Sequence, residues 1–388
     1  MEKRSNSGFG KKIKLTHSII MCLVLMVATA IATYLITTGG FGAQEYFKDA
    51  KALVEIERII DENYIGDVSR ETLYDAAASA MVRSIDDKWS YYMNSEEYAA
   101  YKLSSSNEYA GIGVSIKQNS DGDFEIMSVE DGTPAATAGL TVGQLIVSVD
   151  GQAVDGMTTT ELQELVRSKV NKDFPMVVSD SKGNQSTVTV SCETIYKNPI
   201  SSRMIENNIG YIKIANFEAG SSEGTIGAIE KLTAEGAESF IFDVRDNPGG
   251  LVSELVSLLD YLLPDGDLFV SVDKAGNETV QTSDKVCLSS KMVVLVNANS
   301  YSAAEFFAAA LQEYDWATIV GEHTTGKARS QITIELSNGG AVHISTNKYL
   351  TPNRVDLAEA GGIKPDIEAV NTEKDTNVQL NAAIKALS

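Results

Sequence analysis

SYSAAEFFAAALQEYDWATIVGEHTTGKARSQ, residues 300–331, carries the decisive pattern. It follows the apolar run MVVLVNA (292–298), and Ser302 stands immediately before the alanine-rich segment AAEFFAAAL (303–311). That order is a buried strand running into a helix. Ser302 therefore sits at a helix N-terminus, where free N–H groups and the dipole favour developing negative charge. Two readings fit it: a nucleophile, or an N-cap serine whose capping box is completed by Glu305. A nucleophilic hydroxyl needs a base. His323 is one candidate and would require an orienting acid. Lys327 in the same loop is the other, because Ser–Lys pairs run the same acyl transfer when burial lowers the lysine pKa. Gln331, four residues on, faces the same side as Lys327 in an extended chain, and its amide can hold the lysine.

Outward from this stretch, strands and helices alternate. IGYIKIANF (209–217), EGTIGAIEKLTAE (223–235), SFIFDVRD (239–246), LVSELVSLLDYLL (251–263), MVVLVNAN, AAEFFAAALQEY and ATIVGE (317–322) read as α/β units. Strands at SQITIEL and GGAVHISTNKYL and a helix at VQLNAAIKAL complete residues 196–388.

Residues 45–107 read as helices: AKALVEIERIIDENY has helical spacing, Ser69 with Thr72 opens LYDAAASAMVRSI, and Ser95 caps EEYAAYKL. Residues 108–195 read as strands with two helices, including a hairpin about Lys182-Gly183-Asn184 and a helix over Thr160–Val170. The loop Tyr109-Ala110-Gly111-Ile112-Gly113-Val114 precedes a strand. Its glycines fit either a tight turn or a loop whose N–H groups capture a carboxylate. A nucleotide fingerprint would need a helix there.

With 388 residues, 43% hydrophobic and 22% charged, the chain has room for two or three domains and is too apolar for disorder. A net charge of −21 argues against nucleic acid as a partner. Charge is uneven: residues 1–14 hold five bases and one acid, while Leu15–Gln44 has no charged side chain. SIIMCLVLMVATAIATYLI (18–36) is long enough to cross ~30 Å of hydrocarbon. The charge bias predicts a cytoplasmic tail (1–14), a membrane signal-anchor (15–38) and an extracytoplasmic body. The small-x-small triplets at 28–32 also allow a cleaved signal and a secreted product, and a buried core helix is the third reading. Cys192 and Cys287 read as structural thiols, and neither His323 nor His343 belongs to a metal-binding pattern. No metal or cofactor is expected.

Residues 300–331 resemble the core motif of the carboxyl-terminal processing, or tail-specific, peptidases: S-A-S-A-S-E, then V-G-E-x-T-x-G-K, then Q. DVRDNPGGLVSELVSLLDYLLPDG (243–266), GGIKPDI (361–367), GYIKIANF (210–217) and DDKWSYYMNSEEY (86–98) match too. GTPAATAGL (132–140) and VGQLIVSVDG (142–151) make residues 108–195 resemble a PDZ domain of secreted bacterial proteases. The whole then reads as a multidomain α/β chain: the N-terminal transmembrane helix and helical lead-in read above, followed, as the resemblance implies, by a β-rich PDZ domain with two helices and a ClpP/crotonase-like peptidase core. It places the nucleophile on Ser302, the general base on Lys327 and a supporting amide on Gln331. It puts an oxyanion hole at the N–H groups of Ala303 and Gly250, with Gly249 as alternate; read alone, NPGG is an ordinary turn. Tyr109–Val114 would take a substrate's C-terminal carboxylate. The resemblance implies proteins or peptides with exposed C-termini as partners, the apolar span adds the cytoplasmic membrane, and the oligomeric state stays open, a homo-oligomer included. Departures are Asn299 for glycine, Tyr301 for the first alanine, Ala304 for the last serine and Gln144 for an acid in the PDZ turn. The competing function is a PDZ-bearing, catalytically inactive scaffold of the same fold.

Overall fold

The computed structural model describes residues 17, 21, 23–30, 33, 44–284, 287–373 and 375–388, with the backbone alone at 44–47. The chain divides into two units, 1–81 and 82–388. The first holds helix α1 (Gln44–Asn63) and α2 (Arg70–Arg83) up to Met81. Ser69 Oγ accepts the Thr72 N–H at 3.0 Å, the opening that the sequence predicts. Glu57 of α1 receives the Tyr74 hydroxyl at 2.7 Å and pairs with Arg70 at 2.8 Å. Residues 17, 21, 23–30 and 33 are helical. No helix among the described residues is long and apolar enough to cross a membrane. The tail 1–14 and the rest of the predicted span 15–38 lie outside the described residues.

The second unit opens with strand β1 (Tyr91–Met93) and helix α3 (Ser95–Ser105). Two expectations are corrected here. Residues 91–93 pair antiparallel with 341–343, so the 45–107 region is not wholly helical. The cap of α3 is Asn94 rather than Ser95. Asn94 Oδ1 accepts the N–H groups of Glu96 and Glu97, and Glu97 returns a bond to the Asn94 N–H. A cap at Ser95 would have placed Tyr98 at the third position, where no carboxylate can reciprocate.

The PDZ region contains β2 (Glu108–Gly111), β3 (Val114–Gln118), β4 (Phe124–Val129), α4 (Pro134–Thr137), β5 (Leu145–Val149), β6 (Gln152–Ala153), α5 (Thr159–Arg167), β7 (Lys172–Ser179) and β8 (Gln185–Tyr196). Its seven strands form one sheet, order β2-β8-β7-β5-β4-β3 with β6 on β5, around a core that includes Phe124, Ile126, Leu162, Phe174 and Met176. The hairpin joining β7 to β8 turns at Lys182–Asn184, as its sequence predicts.

The α/β alternation becomes a second sheet. Its elements are β9 (Ile200–Ile205), β10 (Ile209–Ile214), α6 (Ser221–Ala234), β11 (Ser239–Asp243), α7 (Val252–Leu262), then, after β12 (Gly266–Val272) and β13 (Glu278–Ser283), β14 (Lys291–Val296), α8 (Ala303–Glu313) and β15 (Ala317–Gly321). The order is β18-β15-β14-β11-β10-β9, where β18 is Ile367–Glu368; every pair is parallel except β9–β10. Alternate residues serve opposite faces, as a strand's period of two requires. Phe240, Phe242, Val294 and Val296 pack with α6, α7 and α8, while Ile241, Val293, Leu295 and Val320 pack beneath the C-terminal helix at Val378–Leu387. A third sheet joins β1, β12 and β13 to β16 (Arg329–Glu335) and β17 (Ala341–Leu350).

Candidate active site

Strands β11, β14 and β15 are parallel neighbours, so the loops leaving their C-terminal ends meet at one edge of the sheet, where open α/β sheets place ligands. Those loops carry Asn247-Pro248-Gly249-Gly250, Ser302 and Lys327. The first is anchored at its root. Asp243, 1% exposed, accepts bonds from Tyr211 and Arg245, and Arg245 continues to Gln379 at 2.9 Å. Burial works to raise the Asp243 carboxyl, but bonds from Arg245 and Tyr211 and the charges of Lys213 and Arg245 hold it below the usual carboxylate range.

Ser302 has φ 57° and ψ −126°, outside the regions open to an ordinary L-residue and a strain of roughly 1–3 kcal/mol. The surroundings impose it. Ser300 Oγ accepts the Asn297 N–H and donates to Val244 O, and the Tyr301 N–H binds Asn247 O at 3.1 Å. The Ser302 N–H donates to Glu305 Oε2 at 3.0 Å, whereas the Ser302 hydroxyl makes no cap hydrogen bond. Ser302 and Glu305 stand as the two members of a capping box at the start of α8, as the sequence allows, but the serine side chain makes no cap hydrogen bond.

Glu305, fully buried, does more than cap. Oε1 accepts from the Thr324 hydroxyl at 2.5 Å and the Gly326 N–H at 2.6 Å, and Oε2 accepts from the Lys327 N–H at 2.8 Å as well as from Ser302. One carboxylate ties the serine loop to the lysine loop. Local sequence shows Glu305 as a cap; its longer-range bonds carry no local signal.

Gly249 sits hard against Ser302: a Cβ there would come within 2.8 Å of Ser302 Cβ and 2.9 Å of the Ala303 nitrogen. Its own N–H is occupied, donating to Asn247 Oδ1 at 2.8 Å. The N–H groups of Gly250 and Ala303 make no hydrogen bond among the described residues, although Gly250 is locked beside Phe217 by the Phe217–Gly249 and Leu251–Phe217 bonds. Glu218, next to Phe217, has one buried carboxyl oxygen without a partner among the described residues and is pushed up to about 7 by burial and by Glu254.

Lys327 is half-buried, and its ammonium lies 4.3 Å from the ring centre of Trp89. Burial pushes Lys327 below the usual lysine range, the charges of Asp87 and Glu305 oppose that, and Lys88 adds to it. Gln331 does not bond to the lysine. Its amide donates to Arg329 O at 2.9 Å and Ser345 Oγ at 3.0 Å. It reaches Lys327 indirectly, since burial raises the Asp87 carboxyl while hydrogen bonds from Ser345, Ser90 and Trp89 and the charge of Lys327 hold it below its ordinary range. The sequence marks Asp87, Trp89 and Ser90 only as part of a matching motif, with no role attached.

His323 is exposed, as a solvated loop histidine should be. His343, by contrast, is half-buried. It lies between Tyr91 and Tyr101, shares a 2.8 Å hydrogen bond with the Thr333 hydroxyl, and is pushed down to about 4 by burial and by Lys327. Cys192 and Cys287 are free thiols. Among the described residues no group of three or more His, Cys, Asp or Glu could hold a metal ion.

Tyr109 to Val114 line a groove of about 710 Å³ with Leu162, Val166 and Arg167 of α5. Ala100, Leu103 and Ser104 of α3 close it from outside the PDZ sheet. Gly113 is required by space as well as by its φ of 87°, because a Cβ would fall 2.3 Å from Thr133. The N–H groups of Ile112 and Gly113 make no hydrogen bond among the described residues, which leaves two donors for a carboxylate. Amidating the C-terminus of a tailed peptide is therefore expected to raise its KM by roughly tenfold, the loss of one or two charge-assisted bonds. Equal KM values for the free and amidated peptides would contradict this use of the groove.

Residues 208–369 match Peptidase family S41, residues 125–179 match PDZ domain, and residues 37–97 match Activating protease CtpB N-terminal domain. The Carboxyl-terminal-processing protease of Picosynechococcus is 30% identical over 334 residues, 82% of this chain and 80% of that protein. The Carboxy-terminal processing protease CtpA of Bacillus subtilis is 29% identical over 90% of this chain and 76% of its own length. Two solved structures share the fold. The photosystem II D1 C-terminal processing protease is 24% identical, with a TM-score of 0.50 over 89% of this chain and 92% of that one. A putative S41 protease from Bacteroides fragilis is 17% identical, with a TM-score of 0.54 over 84% and 92%. With the strand-to-helix serine, the glycine loop and the PDZ sheet in place, this chain belongs to the C-terminal-processing serine proteases of peptidase family S41.

Proposed function

We propose that the protein is a membrane-anchored endopeptidase working outside the cytoplasmic membrane, in which Ser302 is the nucleophile and Lys327 the general base. Ser302 Oγ attacks the scissile carbonyl and passes its proton to neutral Lys327 Nζ. The oxyanion is received by the N–H groups of Gly250 and Ala303, and the C–N bond breaks as the lysine returns the proton to the leaving amine. Water then repeats the cycle on the acyl-enzyme. Gly250 is preferred to Gly249 because only its N–H is unengaged. Gln331 supports the lysine through Ser345 and Asp87. The observation that carries the reading is Ser302 itself, strained, with a hydroxyl that makes no cap bond, and tied through Glu305 to the backbone of Lys327.

Substrates are proteins or peptides whose C-termini enter the PDZ groove. The anchor rests on the uncharged stretch 15–44 behind a basic tail. Incubating the full chain with tailed peptides should yield new C-termini, and Ser302→Ala should abolish them. Turnover unchanged in Ser302→Ala would refute the catalytic reading, and no turnover by the wild type would favour a binding scaffold. A reporter fused after Gly42 should be active outside the cytoplasm; cytoplasmic activity would refute the anchor.

A further inference from the structure

The Lys327 ammonium makes no hydrogen bond or ion pair among the described residues. What faces it is aromatic: Trp89 at 4.3 Å and Tyr301 at 5.8 Å from the ring centres, the two rings stacked 6.1 Å apart at 30°. Both distances fall within the ~6 Å over which a ring face attracts a cation. Tyr301 stands where the motif of the resembling peptidases has alanine, so half of this arrangement belongs to the present chain rather than to the motif. Trp89 is itself fixed from below, because its N–H and the Ser90 hydroxyl both bind Asp87.

We propose that Trp89 and Tyr301 form a two-ring cage that holds the Lys327 ammonium in the resting enzyme and sets the pH above which the lysine serves as base. They are positioning residues, acting through Lys327, and the proposal rests on the reading of Lys327 as the base. A ring face stabilises the ammonium and not the neutral amine, so the cage opposes deprotonation. It acts together with Asp87 and Glu305 and against burial and Lys88, whose own ammonium lies 4.5 Å from the Trp89 ring centre. His343, the remaining titratable group coupled to Lys327, is held down to about 4 and stays neutral through the working range.

The test uses the full chain and separates aromatic character from bulk. Trp89→Leu keeps apolar cover over Lys327 but removes the ring face, and Trp89→Phe restores a ring. Two measurements are made across pH: trace acetic-anhydride labelling of Lys327 read by mass spectrometry, which reports its ionisation, and the acid limb of kcat/KM on a tailed peptide. Both midpoints are expected to fall by roughly half to one pH unit in Trp89→Leu and to return in Trp89→Phe. Tyr301→Ala should give a smaller fall in the same direction, and it keeps the proposal testable if Trp89→Leu does not fold. Unmoved midpoints, or Leu and Phe variants that shift alike, would overturn the cage. A labelling midpoint that falls while the acid limb stays put would uphold the cage and instead refute Lys327 as the base.

Discussion

Lys327→Arg is expected to be as inactive as Lys327→Ala, with turnover of tailed peptides down at least ~10³-fold. The arginine keeps the positive charge, so a lysine needed only as a charge would tolerate the change. A general base must be neutral, and arginine does not deprotonate in any working range. An unperturbed lysine would be well under ~1% neutral at pH 7, which is why the burial that pushes Lys327 down matters. The same argument gives the sign of the pH dependence: activity rises from weakly acid toward mildly alkaline pH as Lys327 loses its proton. An active Lys327→Arg enzyme, or activity that falls over that range, would return the role of base to another group.

Glu305→Gln should cost ~10²-fold or more in kcat/KM, although Ser302 and Lys327 both remain. The carboxylate accepts from Ser302, Thr324, Gly326 and Lys327. An amide offers one accepting oxygen, and its NH2 would face backbone N–H groups, leaving buried donors unpaired at ~1–3 kcal/mol each. The serine and lysine loops would then part. Thr324→Val removes one of the four donors and should lose much less. Comparing kcat/KM of the two variants with their thermal unfolding separates misplacement from global instability, and a Glu305→Gln enzyme within a few-fold of wild type would contradict the tie.

The elements legible in the sequence were those whose burial repeats along the chain. Strands β11 and β14 are covered on both faces and read as continuous apolar runs. The loops between them follow once the strands are parallel, so the meeting of NPGG with Ser302 was within reach. What stayed hidden depends on partners distant in sequence. Tyr91–Met93 is a strand only because β17 pairs with it, and nothing in its three residues alternates. Gln331 was expected beside Lys327 from strand periodicity, yet the pairing register between β16 and β17 shifts between Ser330 and Gln331, and the amide turns to Ser345. Trp89 carried no sign of facing Lys327, because a cation over a ring leaves no spacing to read.

The most direct measurement is the site of covalent capture. A serine-reactive activated ester of a tailed peptide, added to the wild-type chain, should acylate Ser302, located by peptide mass spectrometry, with the rate rising with pH as Lys327 becomes neutral and collapsing in Lys327→Arg. An adduct on another residue, or a Ser302 adduct formed equally fast in Lys327→Arg, would contradict a Ser302–Lys327 mechanism.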